Sequence, residues 1–367
     1  MAQCHLLAIF MKNSAQLSYL RHLCCLGLGG QIIMPDVMRA LHGLIPSTFN
    51  IFLWADETYQ VSNAYWEDAS AAALQALYLS EYCNSKEVDT FNVTFSEAMR
   101  TGRGWGNSQR FDRTFVGSEI FNNVIKPAGV RHSVEVTIWE NGRGLGSVVL
   151  NRALGERPFN DQEETRLRSL VPYIAHGLRG TRDLRGELTH SGESGMLIVD
   201  HQNKIVQCCP EGKRLMQLAA HPQLTQQHTF SSDSPRVKHL CANLRGILHG
   251  CCRPVPTFRE RNAWGEFLFS GYPLSVDTQP DGLIGIVIER YEPLPLKLMR
   301  NMRALPLTAR QREVCLLLSY GYTHNMIGPR MHVSKHTATD YVRKIYDKLD
   351  VGNHGELMKR LMNEASQ

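Results

Sequence analysis

Residues 307–349 read LTARQREVCLLLSYGYTHNMIGPRMHVSKHTATDYVRKIYDKL, and their pattern predicts three short helices. Thr308 and Gln311 have the spacing of a capping box, so the first helix is expected to begin there, and Gly321 supplies a left-handed stop after it. Thr323 can cap a second helix, and Ser334 can cap a third that fills the rest of the stretch. The segment is therefore predicted to be a small helical unit with a turn between its last two helices.

The third predicted helix has two chemically different faces when its residues are placed about 100° apart. One side is apolar and is expected to be buried: Ala338, Tyr341, Val342, Ile345 and Leu349. The opposite side carries side chains that can hydrogen-bond to base edges or bound water: His336, Thr339, Asp340, Arg343 and Asp347. The flanks carry candidates for contact with DNA phosphates: Lys335, Thr337, Lys344 and Lys348. We therefore predict that this helix enters a groove of double-stranded DNA.

The charge distribution supports that prediction. Residues 300–367 contain 11 Lys or Arg and 6 Asp or Glu, an excess of five positive charges, and the whole chain also carries a net charge of +5. The first 299 residues are thus neutral overall, so the basic excess belongs to the C-terminal segment.

The same segment resembles the LuxR-type helix-turn-helix that is also found in NarL and FixJ response regulators. The matching positions are Leu307-Thr308, Arg310, Gly321, Ile327, Val333-Ser334, Thr337, Ile345 and Lys348-Leu349. The resemblance implies a four-helix unit whose last helix, at about 353–363, pairs with a second copy of the chain. It also implies base-reading roles for Thr339, Asp340 and Arg343, and backbone-contacting roles for Lys335, Thr337 and Lys344.

Pro329 departs from the family pattern. A proline inside a helix removes a backbone hydrogen bond at a cost of about 3 kcal/mol, so the second helix is expected to be short, kinked or started late. Pro329 and the acidic Asp340 and Asp347 also keep an alternative open. In that alternative, the C-terminal bundle grips another regulator rather than DNA.

The upstream region is long enough for one or two further domains, since the chain has 367 residues. Strands are expected at 49–54 and 59–63, helices at 67–82 and 114–126, and a hairpin around Asn141-Gly142, the strongest short hairpin signal. A long helix should start near Asn160 and be interrupted at Pro172. Residues 129–178 resemble GAF-like sensory regions, so we predict an α+β sensory domain over 1–185.

A second α+β unit is predicted over 186–292. Strands are expected at 195–200, 204–208, 264–272 and 282–290, and their order is similar to a PAS fold. Residues 293–306 contain Pro293, Pro295 and Pro306, which suits a linker bearing a short helix, and the helix-turn-helix domain then occupies 307–367. The predicted fold class is an α+β sensory region followed by an all-α DNA-binding domain.

Other classes of function lack a motif. We find no H-E-x-x-H, G-x-S-x-G or phosphate loop, so an enzyme is not expected. A sigma-factor-like promoter reader would need an upstream helical polymerase-binding domain. No cofactor or metal site is predicted, although His239, Cys241, His249 and Cys251-Cys252 form a cluster of soft ligands. No signal peptide or apolar run of membrane-spanning length occurs, and we expect a cytoplasmic protein.

The expected partners are double-stranded DNA, a second copy of the chain, RNA polymerase and an unidentified small-molecule or protein effector, with no membrane. An effector pocket would draw on the tryptophans and on nearby arginines of the sensory region. The candidates are Trp54, Trp66, Trp105, Trp139, Trp264, Arg103, Arg110 and Arg131, each of which is more often a core or surface residue than a ligand contact.

Overall fold

The computed structural model describes residues 15–68, 72–91, 93–103, 113–180, 188–220, 235–274 and 282–362. Its first unit contains helices and a four-stranded antiparallel sheet of order β2-β1-β4-β3. The elements in chain order are α1 (15–24), α2 (Gly30–His42), β1 (Phe49–Ala55), β2 (Val61–Trp66), α3 (Ala72–Leu77), π-helical turns (Tyr78–Lys86), α4 (Val88–Phe91), α5 (Phe95–Thr101), α6 (Arg113–Gly117), a π-helical turn (Phe121–Ile125), β3 (Val130–Glu140), β4 (Arg143–Ala153) and α7 (Asp161–Leu178).

The predicted hairpin is confirmed. Asn141 and Gly142 take φ angles of 51° and 79°, the left-handed values that a two-residue turn between twisted strands requires. The strand expected at 59–63 begins instead at Val61, because the Asp56 carboxylate accepts hydrogen bonds from the backbone N–H groups of Thr58 and Gln60 and holds a turn there. The helix expected at 114–126 is likewise two pieces, α6 and the π-helical turn. Of the helix expected at 67–82, residues 69–71 lie outside the described residues.

The interruption expected at Pro172 does not occur, and α7 runs unbroken over its 18 residues. Its start is well fixed, since Asn160 and Glu163 exchange both hydrogen bonds of a capping box. Leu167, Leu170 and Ile174 are buried on the inner side of the sheet. This burial holds the helix together through the proline, whose missing N–H costs one hydrogen bond.

The second unit is a five-stranded antiparallel sheet of order β6-β5-β9-β8-β7. Its elements are β5 (Leu188–Val199), β6 (Ile205–Cys208), α8 (Pro210–Ala220), α9 (Pro235–Leu248), β7 (Thr257–Asn262), β8 (Gly265–Pro273) and β9 (Ile284–Pro293). The four predicted strands are present with shifted ends. Sequence reasoning missed β7, an edge strand whose burial alternates between exposed and half-buried along its length.

The two units share a core. Trp264 is fully buried, and its ring lies 5.8 Å from the ring of Trp54 in β1 and 5.8 Å from that of Tyr65 in β2. Nearby, the Glu193 carboxylate is within 2.7 Å of Arg290, and Arg214 lies 3.1 Å away. Burial disfavours its charge, but the two arginines outweigh that effect and hold the pKa of Glu193 well below its usual range.

The C-terminal helices are α10 (Leu294–Asn301), α11 (Ala309–Ser319), α12 (His324–Arg330), α13 (Lys335–Leu349) and α14 (His354–Met362). Helix α10 lies in the segment predicted as a linker. Leu296, Leu298 and Met299 of this helix are nevertheless fully buried, and they belong to the core that joins both sheets to the C-terminal helices.

Candidate nucleic-acid interface

Local capping sets the start of α11, the first of the C-terminal bundle. Thr308 Oγ1 accepts from the Gln311 N–H at 3.3 Å, and Gln311 Oε1 accepts from the Thr308 N–H at 2.9 Å, which confirms the capping box. Gly321, with a φ of 77°, ends the helix in the left-handed conformation. Both ends of α11 therefore follow from residues adjacent in sequence.

Helix α12 is short, with seven residues, and it begins at the predicted place after Thr323. Pro329 lies in its last turn, where the helix is about to end. The close approach of the next turn explains the glycine at position 328, because a Cβ there would lie 3.0 Å from the Val333 carbonyl oxygen. His332 in that turn has a φ of 54°. The turn thus passes close to α12 and brings α13 against it.

Helix α13 begins at Ser334, whose Oγ accepts from the Thr337 N–H at 3.0 Å. Four of the five residues of its predicted core face are buried, namely Ala338, Val342, Ile345 and Leu349, and Tyr341 is half-buried. On the opposite face, His336, Thr339 and Arg343 are exposed and Asp340 is half-buried. The two predicted faces are therefore present, and the polar one is open to solvent.

Asp340 lies close to two other side chains of the polar face. Its carboxylate lies 3.1 Å from the Arg343 guanidinium and 3.7 Å from His336 Nδ1, while 69% of the Arg343 side chain stays exposed. Such exposed pairs contribute only about 0–1 kcal/mol, so Arg343 can leave Asp340 for a stronger partner such as guanine. The Thr339 hydroxyl donates to the Lys335 carbonyl at 3.1 Å, so it must rotate before it can donate to a base.

The four predicted phosphate contacts differ in availability. Lys335 and Lys344 are exposed, and in the part of the chain that the structure describes they form no ion pair. The Thr337 hydroxyl lies 2.9 Å from Ser334 Oγ. Lys348, by contrast, donates to the Pro306 carbonyl at 3.1 Å and to Gln311 Oε1 at 2.9 Å, so its ammonium group ties α13 to the start of α11.

Comparison with known proteins bears on these helices. Residues 305–361 match the family described as bacterial regulatory proteins, luxR family. The chain carries a LuxR-type helix-turn-helix. This LuxR-type domain makes the chain a DNA-binding transcription regulator. The four helices α11–α14 lie within the matched residues except for the last residue of α14.

Two solved structures are similar over parts of the chain. One is the crystal structure of the phage VqmA-DPO complex, with 18% sequence identity over 55% of this chain and 89% of that chain and a TM-score of 0.18. The other is the sensor region of a sensor histidine kinase, with 13% identity over 43% of this chain and 63% of that chain and a TM-score of 0.20. With TM-scores this low, neither likeness bears on fold or function. No curated protein matches the chain.

The LuxR-type domain is tied to the rest of the chain through its last helix. Leu357 and Leu361 of α14 are fully buried within the chain, so these two leucines are not available to a second copy. The exposed side of α14 carries Glu356, Lys359 and Arg360. In this arrangement, pairing through α14 would place these polar side chains at the contact.

The residues predicted to line an effector pocket lie in different environments. Trp54 and Trp264 pack together between the two sheets, and Trp139 packs its ring near Gly102. Of the four tryptophans among the described residues, only Trp66 lines the cavity on the outer face of the first sheet, together with residues that sequence reasoning missed, above all Glu135 and Asn151. Trp105 and Arg110 lie outside the described residues. Arg103 is exposed, and Arg131 is half-buried at the start of β3.

The structure provides no metal centre within its described residues: no group of three or more His, Cys, Asp or Glu side chains is arranged to hold an ion. In the cluster of soft ligands, Cys241 is buried whereas Cys251 and Cys252 are exposed. None of the described helices combines the length and the apolar character needed to cross a membrane.

Proposed function

We propose that this chain is a one-component transcription regulator, in which the region before residue 293 senses an effector and controls DNA binding by α13. The proposal makes the protein a regulator rather than an enzyme, and it makes the DNA-bound species a homodimer. The observation that carries it is the exposed polar face of α13 in a LuxR-type domain that packs directly against the upstream sheets.

Helix α10 supports the coupling part of the proposal, because it contacts all three parts of the chain. Its Arg300 donates to both Asp36 carboxylate oxygens, at 3.0 and 3.1 Å, and to Glu292 at 2.6 Å. Asp36 belongs to α2 of the first unit, and Glu292 belongs to β9 of the second. Asn301 then donates to the Leu361 and Met362 carbonyls at the end of α14.

Such an arrangement gives an effector a physical route to the DNA-binding domain. A ligand shifts a conformational equilibrium only by the difference in its affinity for the two states. A rearrangement of either sheet that moves α2 or β9 would break the contacts of Arg300 and thereby release α10. The position of α14, and with it the pairing of two copies on DNA, would change in turn.

The test is selection of sequences from a pool of random duplexes by the purified full-length protein, followed by titration of the selected site. Arg343→Ala should weaken binding to that site by about 5- to 150-fold and relax the preference at one base step, since a bidentate arginine contact discriminates by about 1–3 kcal/mol. Lys344→Ala should weaken all duplexes alike and reduce the slope of log affinity against log salt by about one.

Arg168→Ala, which removes one exposed positive charge from α7, is the matched control and should change neither quantity. Two half-sites in the selected sequence, spaced by about 10 bp, are the expected signature of a homodimer. Equal effects of Arg343→Ala and Lys344→Ala on selected and random DNA would contradict the assigned roles. Absence of any salt-dependent binding to duplexes would favour the alternative in which the bundle grips another regulator.

A further inference from the structure

A cavity lies on the outer face of the first sheet, and its lining residues belong to the first unit rather than to the DNA-binding domain. The centre of a water-sized sphere can reach about 90 Å³ of the cavity, which is room for several waters or one small molecule. Its floor is the sheet, and its roof is formed by the helical segments between residues 78 and 128. Aromatic rings make up much of the lining: Phe49, Trp66, Tyr78 and Phe95.

Strand register places three polar side chains in this apolar floor. One row crosses all four strands and consists of paired neighbours. In the order β3, β4, β1, β2, its members are Glu135, Val149, Ile51 and Trp66. Ser133, Asn151 and Phe49 form the next row. Because alternate residues of a strand share a face, both rows face the same side. All seven residues line the cavity.

Three polar atoms in these rows are buried and have no hydrogen-bond partner in the structure: Glu135 Oε2, Asn151 Nδ2 and Trp66 Nε1. Glu135 is 5% exposed and Asn151 is 3% exposed. Folded proteins satisfy most buried polar atoms, and these three unsatisfied atoms line one cavity, where a bound molecule could supply their partners.

The chemistry of these atoms defines the ligand. Asn151 Nδ2 and Trp66 Nε1 are donors and require acceptor atoms, which an ammonium group does not have. A carboxylate ligand would need a cation to balance its charge, and no lysine or arginine is among the described residues that line the cavity. Burial and, to a smaller extent, the charge of Glu87 outweigh the hydrogen bond from Ser147. Together these effects raise the pKa of Glu135 to about 8. Glu135 is thus mostly protonated at neutral pH and can donate as well as accept.

We propose that this cavity binds a small, uncharged molecule with a flat apolar body, whose polar edge accepts hydrogen bonds from Trp66 and Asn151 and pairs with the Glu135 carboxyl. The assignment rests on the proposed function, because it names the class of effector for that sensory region. The aromatic lining holds the flat body, and the two polar rows of the sheet fix its orientation.

The test uses the full-length protein at neutral pH and four probes of similar size: benzamide, benzoate, benzylamine and toluene. Ligand-observed NMR titration measures their affinities. Benzamide, a flat neutral ring with an acceptor oxygen and an N–H donor, should bind saturably with a dissociation constant on the order of 1 mM. Each of the other probes should bind at least tenfold more weakly.

Variants locate the site. Glu135→Leu and Asn151→Leu should each weaken benzamide at least fivefold, so that either one suffices if the other does not fold. Glu135→Gln keeps the shape and the hydrogen bonding and should bind like the wild type, as should the exposed control Glu57→Gln.

Three results would overturn the assignment: tighter binding of benzylamine than of benzamide, benzamide binding that neither leucine variant weakens, or no saturable binding of any probe by protein that still binds duplex DNA. Benzamide binding that depends on Glu135, in protein that fails to bind duplex DNA, would support the cavity and count against the proposed function alone.

Discussion

Glu135 should make the stability of this protein depend on pH in a way that a single substitution removes. Its side chain is buried with one oxygen unpartnered, and its pKa rises from the ordinary 4.5 to about 8 in the folded chain. A glutamate whose pKa is raised by folding destabilises the fold wherever the unfolded chain is ionised and the folded chain is not. The free energy of unfolding should therefore fall as the pH rises from the unfolded pKa to the folded one.

The magnitude follows from the shift, at about 1.4 kcal/mol for each pH unit in that window. Relative to Glu135→Gln, the wild type should lose about 3 kcal/mol of unfolding free energy between about pH 5.5 and about pH 8. Urea unfolding of both proteins at the two pH values measures the difference, and contributions from every other titrating group cancel in the comparison. Glu57→Gln, at an exposed position, should follow the wild type. Parallel pH dependence of the wild type and Glu135→Gln would refute the reasoning.

Three further predictions concern the contacts between the parts of the chain. Arg300→Ala and Asp36→Ala should each lower the free energy of unfolding by about 3 kcal/mol, because the first leaves the buried Glu292 without Arg300 and the second leaves Arg300 with one carboxylate in place of two; the double variant should cost clearly less than the sum, and additive losses in urea unfolding would contradict the pairing. Asn301→Leu should raise the hydrogen-exchange rate of α14 amides about tenfold or more, since it removes two hydrogen bonds to the last carbonyls of that helix, with α7 amides as the internal control. Lys348→Met should lower the unfolding free energy by about 1 kcal/mol while leaving the salt dependence of DNA binding unchanged, because its ammonium group is bonded to Pro306 and Gln311; a slope reduced by about one would show a phosphate contact instead.

The sequence predicts the helices of the DNA-binding domain well because their ends depend on neighbouring residues. The hydrogen bonds between Thr308 and Gln311, the left-handed Gly321 and the cap at Ser334 are all local interactions. The faces of α13 follow from helical periodicity for the same reason. Helical periodicity also predicts that Lys348 lies on a flank of α13. It does not predict the hydrogen bond to Gln311, because packing of α13 against α11 brings that residue to Lys348.

The burial of Glu135 in the cavity is not predicted from the sequence. Alternation along β3 separates Glu135 and Thr137 from Val134 and Val136, and polar residues at alternate positions usually indicate a solvent-exposed face. In the structure both faces are covered, one by α2 and α7 and the other by the helical segments from residue 72 onward. Whether Glu135 is a surface residue or a buried acid thus depends on contacts between distant parts of the chain. No local pattern carries that information.

The role of α10 depends on distant contacts in the same way. Its prolines suggest a linker, yet Arg300 joins Asp36 and Glu292, two carboxylates that are almost completely buried. Burial outweighs the opposing charges of Arg300 and Arg290 and raises the pKa of Glu292 to about 7. If α10 moved away, both carboxylates would lose this cation, and they would have to take up protons or gain water. The cluster therefore favours two discrete arrangements over a continuous range, docked with all partners present or released with the carboxylates solvated. Under the proposed function, an effector that distorts the first sheet would need only to shift the balance between these two arrangements.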